Sequence, residues 1–459
     1  MDKFLRDPNR DTIIFVNEIA PNQVDWVVKG VQEVEQRLGR PLKALLVTDK
    51  RDKKVPEYTT FPFPFDHKRV NMDSIIQLEE VLLPYTSKVL TIVCRGERNI
   101  PYFKKIIPFM PFVRTPTEES LSWATNKIDM RRRLRAYDKS ISPKYCVVED
   151  SSPVSATEII KKLKFPVIIK PAGLAASVLV SAAYHEDELR KELRRIFRRL
   201  RSVHKSKGFS EPPQVIAEEF MEGTMFSTDI YVNSRGTMYS TPVVMIQTGA
   251  AAGYNDFFGY KQVSPTSLKK ASRQRAIEVA KKGVEALGLR SITAHVELMK
   301  TPKGFKIIEI GPRVGGFRDF LYDASYGINH AANDILVRLP MKPEIPRTIL
   351  AHSAVMKIYP REQGIVQSIR GIKKCRQFES VVKLHAKTRK GERVAFASNG
   401  GNSIADVYLT NKDKSKLLAD MRRVEQTLQV KVAPRKRTIL EAIPQTLLDL
   451  PRDDIVFNK

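Results

Sequence analysis

With 459 residues, 42% of them hydrophobic and 28% charged, the chain is long enough for about three domains and reads as a folded, soluble protein. The longest uncharged run, GTMYSTPVVMIQTGAAAGYN, is broken by Pro, Gly, Gln and Tyr, which argues against a membrane-spanning helix. The 78 Lys and Arg outnumber 51 Asp and Glu, leaving a net charge of +27. That charge would suit nucleic acid or an acidic polymer as a partner. No RNA- or DNA-binding motif accompanies it, however, and a solvated basic surface explains it better.

The opening MDKFLRDPNR is charged and lacks the apolar core of a secretory leader. Cys94, Cys146 and Cys375 are too scattered for a disulfide framework or a Cys/His metal site, so reduced, buried thiols in a cytoplasmic protein are expected. Positive charge gathers at Arg131–Arg133, Arg190–Arg201 and Arg435–Arg437.

In chain order, the apolar runs TIIFVN (12–17), KALLVT (43–48) and KVLTIVC (88–94) have the length and composition of buried parallel strands. NQVDWVVKGVQEVEQRLG and NMDSIIQLEEVLLPYTS between them have helical periodicity. Together they predict an N-terminal α/β domain over 1–115, and no GxGxxG follows its first strand to suggest a dinucleotide site.

A second region, 116–346, opens with a different grammar. FPVIIKPAGLAAS predicts a strand ending in Lys170 beside a loop of small residues, where an ammonium and backbone N–H groups could meet phosphate oxygens. An ordinary hairpin with an exposed lysine fits the same letters. DELRKELRRIFRRLRSVHKSKG predicts an amphipathic helix with Leu189, Leu193, Ile196, Phe197 and Leu200 inward and arginines outward. PQVIAEEFMEGTMFSTDIYVN predicts two strands joined by Glu218-Glu219-Phe-Met221-Glu-Gly. A strand edge leaving such a crossover offers the carbonyl and N–H that adenine needs. SPTSLKKASRQRAIEVAKKG reads as a core-packed helix, and GAAAGYNDFFGYKQ as a flexible loop facing substrate.

SITAHVELMKTPKGFKIIEIGPRVGG then predicts a hairpin around Pro302-Lys303-Gly304, a three-residue loop by its Pro and Gly. Thr301 would face Phe305, Met299 Ile307, Glu297 Glu309 and His295 Gly311. Opposed like charges destabilise a sheet, so a divalent cation between Glu297 and Glu309 is one explanation. A register one residue different would instead send the two glutamates to opposite faces. Beyond residue 346, TILAHSAVMKIYP, the stretch 380–410 and a helix over 414–428 predict an α+β domain over 347–459 with a loosely held tail.

The order of these parts resembles the ATP-grasp superfamily of ADP-forming carboxylate–amine ligases, over roughly 115–346. The segment GIVQSIRGIKKCRQFESVVKLHAKTRKGERVAFASNGG resembles the closing domain of the L-amino-acid-ligase and biotin-carboxylase-like branch. The resemblance implies an ATP-grasp fold, α/β and α+β, with an N-terminal pre-grasp domain, a lid at about 148–240 and a C-terminal closing domain. It implies nucleotide contacts from Lys127 in WATNKIDMRRRL and from Lys170, with Glu218, Glu219 and Met221 on the adenine linker. It places Mg²⁺, or Mn²⁺, on Glu297 and Glu309, and gives Arg313 the transferred phosphate. Arg370 lies near a further substrate-side arginine.

Three positions depart from the family pattern: Gly311 replaces an asparagine metal ligand, Met225 a glutamate, and the phosphate loop has one glycine, Gly173. The activity implied is attack of a carboxylate on MgATP, giving an acyl phosphate and ADP, followed by displacement of phosphate by an amine. Small carboxylates and amines, amino acids among them, are the expected substrates, and the sequence is compatible with an oligomer. Two alternatives remain open here. One is a carboxylase or nucleotide-precursor ligase of the same fold. The other is a catalytically silent ATP-binding regulator.

Overall fold

The computed structural model describes residues 3–52, 64–174, 177–206, 213–254 and 256–434. Ala175 and Ala176 of the small-residue loop, Asn255 of the expected substrate-side loop, Arg435–Arg437 and the tail lie outside them. Among the described residues no helix is long and apolar enough to cross a membrane.

The N-terminal strands are β1 (Thr12–Val16), β2 (Lys43–Asp49), β3 (Phe65–Val70) and β4 (Val89–Val93). They form a parallel sheet in the order β3-β2-β1-β4. β1 and β4 are wholly buried, as their unbroken apolar runs require. β3, sequence FDHKRV, is a polar edge strand that carries no hydrophobic signal. Because the chain winds from β1 towards β3 and then crosses to β4, the carboxyl ends of β1 and β4 bracket a topological switch point, where open α/β sheets hold ligands.

A second sheet holds β5 (Tyr145–Val148), β6 (Val167–Pro171), β7 (Ser181–Ala183) and β8 (Val215–Glu219), antiparallel in the order β5-β8-β6-β7. The helix Glu186–Ser206 lays Leu189, Leu193, Ile196 and Leu200 on one face of it, as its periodicity predicts. Ile169 and Ala217 belong to that buried face. The alternation along each strand therefore turns Lys170 and Glu218 to the other.

The remaining strands follow in order: β9 (Thr224–Val232), β10 (Met238–Ser240), β11 (Val244–Thr248), β12 (Gly259–Ser264), β13 (Ile292–Thr301) and β14 (Gly304–Gly311). After them come β15 (His352–Ile358), β16 (Gly364–Arg370), β17 (Val381–Ala386), β18 (Arg393–Val394), β19 (Ala405–Asn411) and β20 (Gln429–Pro434). One antiparallel sheet runs β14-β13-β9-β11-β12-β15-β19-β17, with β10 beside β9. β12 pairs directly with β15, so the central sheet continues past residue 346 into the C-terminal part. β18, β16 and β20 make a small separate sheet. The helix Lys270–Ala286 buries Ala276, Ala280 and Val284 with Ile307 and Ile310 of β14, which makes it the core-packed helix expected.

Candidate active site

The hairpin closes one residue tighter than the Pro-Lys-Gly loop predicts. Thr301 pairs with Gly304, Lys300 with Phe305, Met299 with Lys306 and Leu298 with Ile307. The expected pairs of Thr301 with Phe305 and Met299 with Ile307 are therefore wrong. A bulge then inserts Ile308 as an extra residue on β14, and the register recovers: Glu297 faces Glu309 and His295 faces Gly311. The bulge has a partner of its own, since Arg131 Nη2 donates to the Ile308 carbonyl at 2.6 Å.

Both glutamates share one face and are half-exposed, with side-chain exposures of 29% for Glu297 and 26% for Glu309. Lys127 is the first residue of the helix Lys127–Tyr137, capped by Asn126. It reaches this face from the side of the small-residue loop. Its N–H donates to Ala172 O at 3.0 Å, and its ammonium to Leu174 O at 2.7 Å and Glu309 Oε1 at 2.9 Å.

Beside Glu297, His295 Nε2 lies 3.6 Å from Oε1, while its Nδ1 bonds Asp229 at 2.6 Å. Asp229 sits opposite His295 on β9, fully buried, and also accepts from the Gly315 N–H and approaches His330 Nε2 at 2.8 Å. Burial pushes the His295 imidazole down, but Asp229 outweighs it and holds the pKa above the usual histidine value. Glu297 shows the reverse balance: burial pushes it up, and His295, Arg313 and Arg318 pull it below the usual range.

Just after β14, Arg313 Nε donates to Glu97 Oε2 at 2.8 Å and Nη1 to the Val314 carbonyl at 3.0 Å. Arg318, which is buried, holds Gln262 and Ser227. Coulombic coupling joins Arg313 to Glu97, Glu297 and Glu309, so the four groups share one electrostatic neighbourhood.

Lys170 approaches from β6 of the four-stranded antiparallel sheet. The residue is only 6% exposed and its ammonium bonds Glu218 Oε2 at 2.8 Å. Glu218 is gripped from the other side by Arg131 Nε at 2.8 Å. Burial raises the Glu218 carboxyl, yet Arg131 and Lys170 more than offset it and hold it at about 2. Burial pushes the Lys170 ammonium down, with Arg131 and Lys127 adding to it against the pull of Glu218.

At the end of β8, Glu219 pairs with Lys306 of β14, tying the linker to the hairpin. Met221 follows, half-buried outside the sheet. Gly223 lets the linker cross: a Cβ there would stand 2.0 Å from the Lys300 carbonyl oxygen. Arg370 is different. It ends β16 in the small sheet, exposed, and makes none of the contacts that connect the others.

Arg131 corrects a sequence expectation, since it belongs to the buried ion cluster and not to a basic surface. Its spacing of four from Lys127 on one helix was the available signal. Ser227, Asp229 and Tyr231, alternating with Phe226, Thr228 and Ile230, marked the polar stripe of β9. Nothing in the sequence marked Glu97, which meets Arg313 only through space.

Residues 163–319 match the ATP-grasp domain, and residues 356–433 match the L-amino acid ligase C-terminal domain 2. The chain superposes on an L-amino acid ligase from Bacillus licheniformis with a TM-score of 0.74, covering 93% of this chain and 99% of that one at 15% identity. The chain carries an ATP-grasp domain. Sequence relatives of this chain include an alanine–anticapsin ligase of Bacillus amyloliquefaciens, 28% identical over 34% of this chain and 35% of the relative. A D-alanine–D-alanine ligase of Flavobacterium johnsoniae is 23% identical over 37% and 49%. The chain thus matches between a third and a half of the length of these relatives.

Proposed function

We propose that this protein is an ATP-dependent, ADP-forming carboxylate–amine ligase that works through an acyl phosphate, with amino acids as substrates. The observation that carries it is the facing pair Glu297 and Glu309, half-exposed beside Lys127 and Arg313. Among the described residues no group of three His, Cys, Asp or Glu side chains forms a closed metal site. Two carboxylate arms fit Mg²⁺ or Mn²⁺, because Mg²⁺ takes one or two carboxylates and completes its shell with phosphate and water. When bound, the cation would supply charge neutralisation at the phosphates, and Glu297 and Glu309 would hold it.

The chain's own residues do the rest. Lys127 and Lys170 offset phosphate charge from two sides, Lys170 riding on the lid sheet. Glu219 and Met221 present the linker backbone to adenine, and the buried Glu218 keeps Lys170 in place. Arg313 meets the phosphoryl group as it passes to the substrate carboxylate, and an amine then expels phosphate. Electrostatic preorganisation of this kind is what phosphoryl transfer needs most. In this reading residues 1–115 form the pre-grasp domain and 116–346 the ATP-grasp domain. Its lid, at about 148–240, excludes water from the intermediate, 347–459 closes the site, and the protein works in the cytoplasm.

Release of ADP and phosphate, measured with MgATP and pooled amino acids, tests this. Release that requires both a carboxylate and an amine supports the ligase. Dependence on bicarbonate would mean a carboxylase, and tight ATP binding without release a regulator.

A further inference from the structure

Gly311 leaves a gap where a side chain would project, and the gap is filled from elsewhere. A Cβ built on Gly311 would stand 3.0 Å from Glu97 Oε2 and 3.3 Å from Arg313 Cζ. An asparagine oxygen lies about 2.4 Å from its own Cβ by standard bond lengths. The Glu97 carboxylate therefore occupies the space that a side chain at 311 would claim. It reaches there from the loop after β4, on the N-terminal sheet's switch-point side, more than two hundred residues away in the chain.

That loop is pinned on both sides of Glu97. Arg95 clasps both oxygens of Asp319 at 2.8 and 2.9 Å, in a pair almost wholly buried. Arg98 bonds Glu18 through Nε at 2.6 Å. The Asn99 side chain accepts from Asn17 Nδ2 at 3.1 Å. With both neighbours fixed, Glu97 is presented at a set place. On Arg313, Glu97 takes Nε and the Val314 carbonyl takes Nη1. Nη2 is the nitrogen left to meet an anion.

We infer that Glu97 is a positioning residue for Arg313: admitted by Gly311, it fixes the guanidinium so that Nη2 faces the transferred phosphate, and so joins the N-terminal sheet to the phosphoryl chemistry. This rests on the reading of Arg313 given above. Glycine at 311 is then a requirement of the Glu97–Arg313 pair, and not simply a lost ligand.

The test combines side-chain NMR with kinetics on the full chain. In protein carrying ¹⁵N-arginine, Arg313 Nε–H should give a protected, downfield resonance, identified by its loss in Arg313→Lys. Glu97→Ala and Gly311→Asn should each remove the protection. Each should also weaken uptake of inorganic phosphate by the MgADP-bound protein about tenfold and lower kcat for ADP release about tenfold, with KM for ATP changed less than about twofold. Glu97→Gln, which keeps an acceptor without charge, should restore part of the loss. The double variant should be no worse than either single one, because both break the same pair. Overturning results are an unprotected Arg313 Nε–H in the unaltered protein, unchanged phosphate uptake in Glu97→Ala, or additive losses in the double variant. The resonance and phosphate titration need no turnover. An unaltered protein that binds phosphate but never releases ADP would count against the ligase and not against Glu97.

Discussion

Two carboxylate sites, one on the β5–β8 sheet and one on the hairpin, solve the same problem in opposite ways. Glu218 is 2% exposed and is met by two cations, Arg131 and Lys170, so its charge is fully answered from within the protein. Glu297 and Glu309 face each other, half-exposed, with Lys127 on one and His295 at 3.6 Å from the other. A buried carboxylate must be paired or the fold suffers. A half-exposed pair of like charges can be left less fully compensated, and in the proposed function a soluble cation would complete it. Compensation inside the chain thus marks scaffolding, and its shortfall marks the place reserved for a ligand.

The largest expected effect breaks the closed cluster. Glu218→Gln leaves Arg131 and Lys170 buried without their counter-charge and should cost about 3–5 kcal/mol of stability, measured by denaturant unfolding. Arg313→Lys should come next, lowering turnover about a hundredfold, since a point ammonium cannot reproduce a fork that holds Glu97 and phosphate together. Steady-state kinetics would read it, with the unfolding midpoint unchanged.

Acid sharpens the same contrast. The Glu218 carboxyl is held at about 2 against an ordinary value of 4.5. Its contribution is therefore complete above pH 4.5 and lost as pH falls towards 2. A pH series of unfolding curves should show this loss in the unaltered protein and its absence in Glu218→Gln. The smallest effect belongs to the open pair. Glu297→Gln removes one of two opposed charges but also the charge that His295, Arg313 and Arg318 hold. It should therefore lower the stability of the metal-free protein by less than about 1 kcal/mol while abolishing turnover.

Much of this contrast was legible in the sequence, for a reason the hairpin makes plain. Lys127, Lys170, Glu297 and Glu309 sit at the starts, ends or alternating positions of regular elements, where spacing predicts direction. The facing of Glu297 and Glu309 emerged correctly although the loop was misread, because a turn one residue shorter is offset by the bulge at Ile308. Periodicity cannot see either departure, only their sum. What stayed hidden was contact through space. Glu97 approaches Arg313 across 216 positions and Arg131 approaches Glu218 across 87, with no local pattern to announce them. Arg370 looked apt by position in the chain, yet β16 joined the small sheet. β3 gives no signal in the sequence, because an edge strand needs no apolar run.

The most direct measurement follows one oxygen atom. An amino acid labelled with ¹⁸O in its carboxylate, incubated with MgATP, an amine and the protein, should deliver one ¹⁸O to each phosphate released, because the carboxylate oxygen that attacks ATP leaves with phosphate when the amine displaces it. Phosphate that forms without the label would contradict the acyl-phosphate ligase on which this account rests.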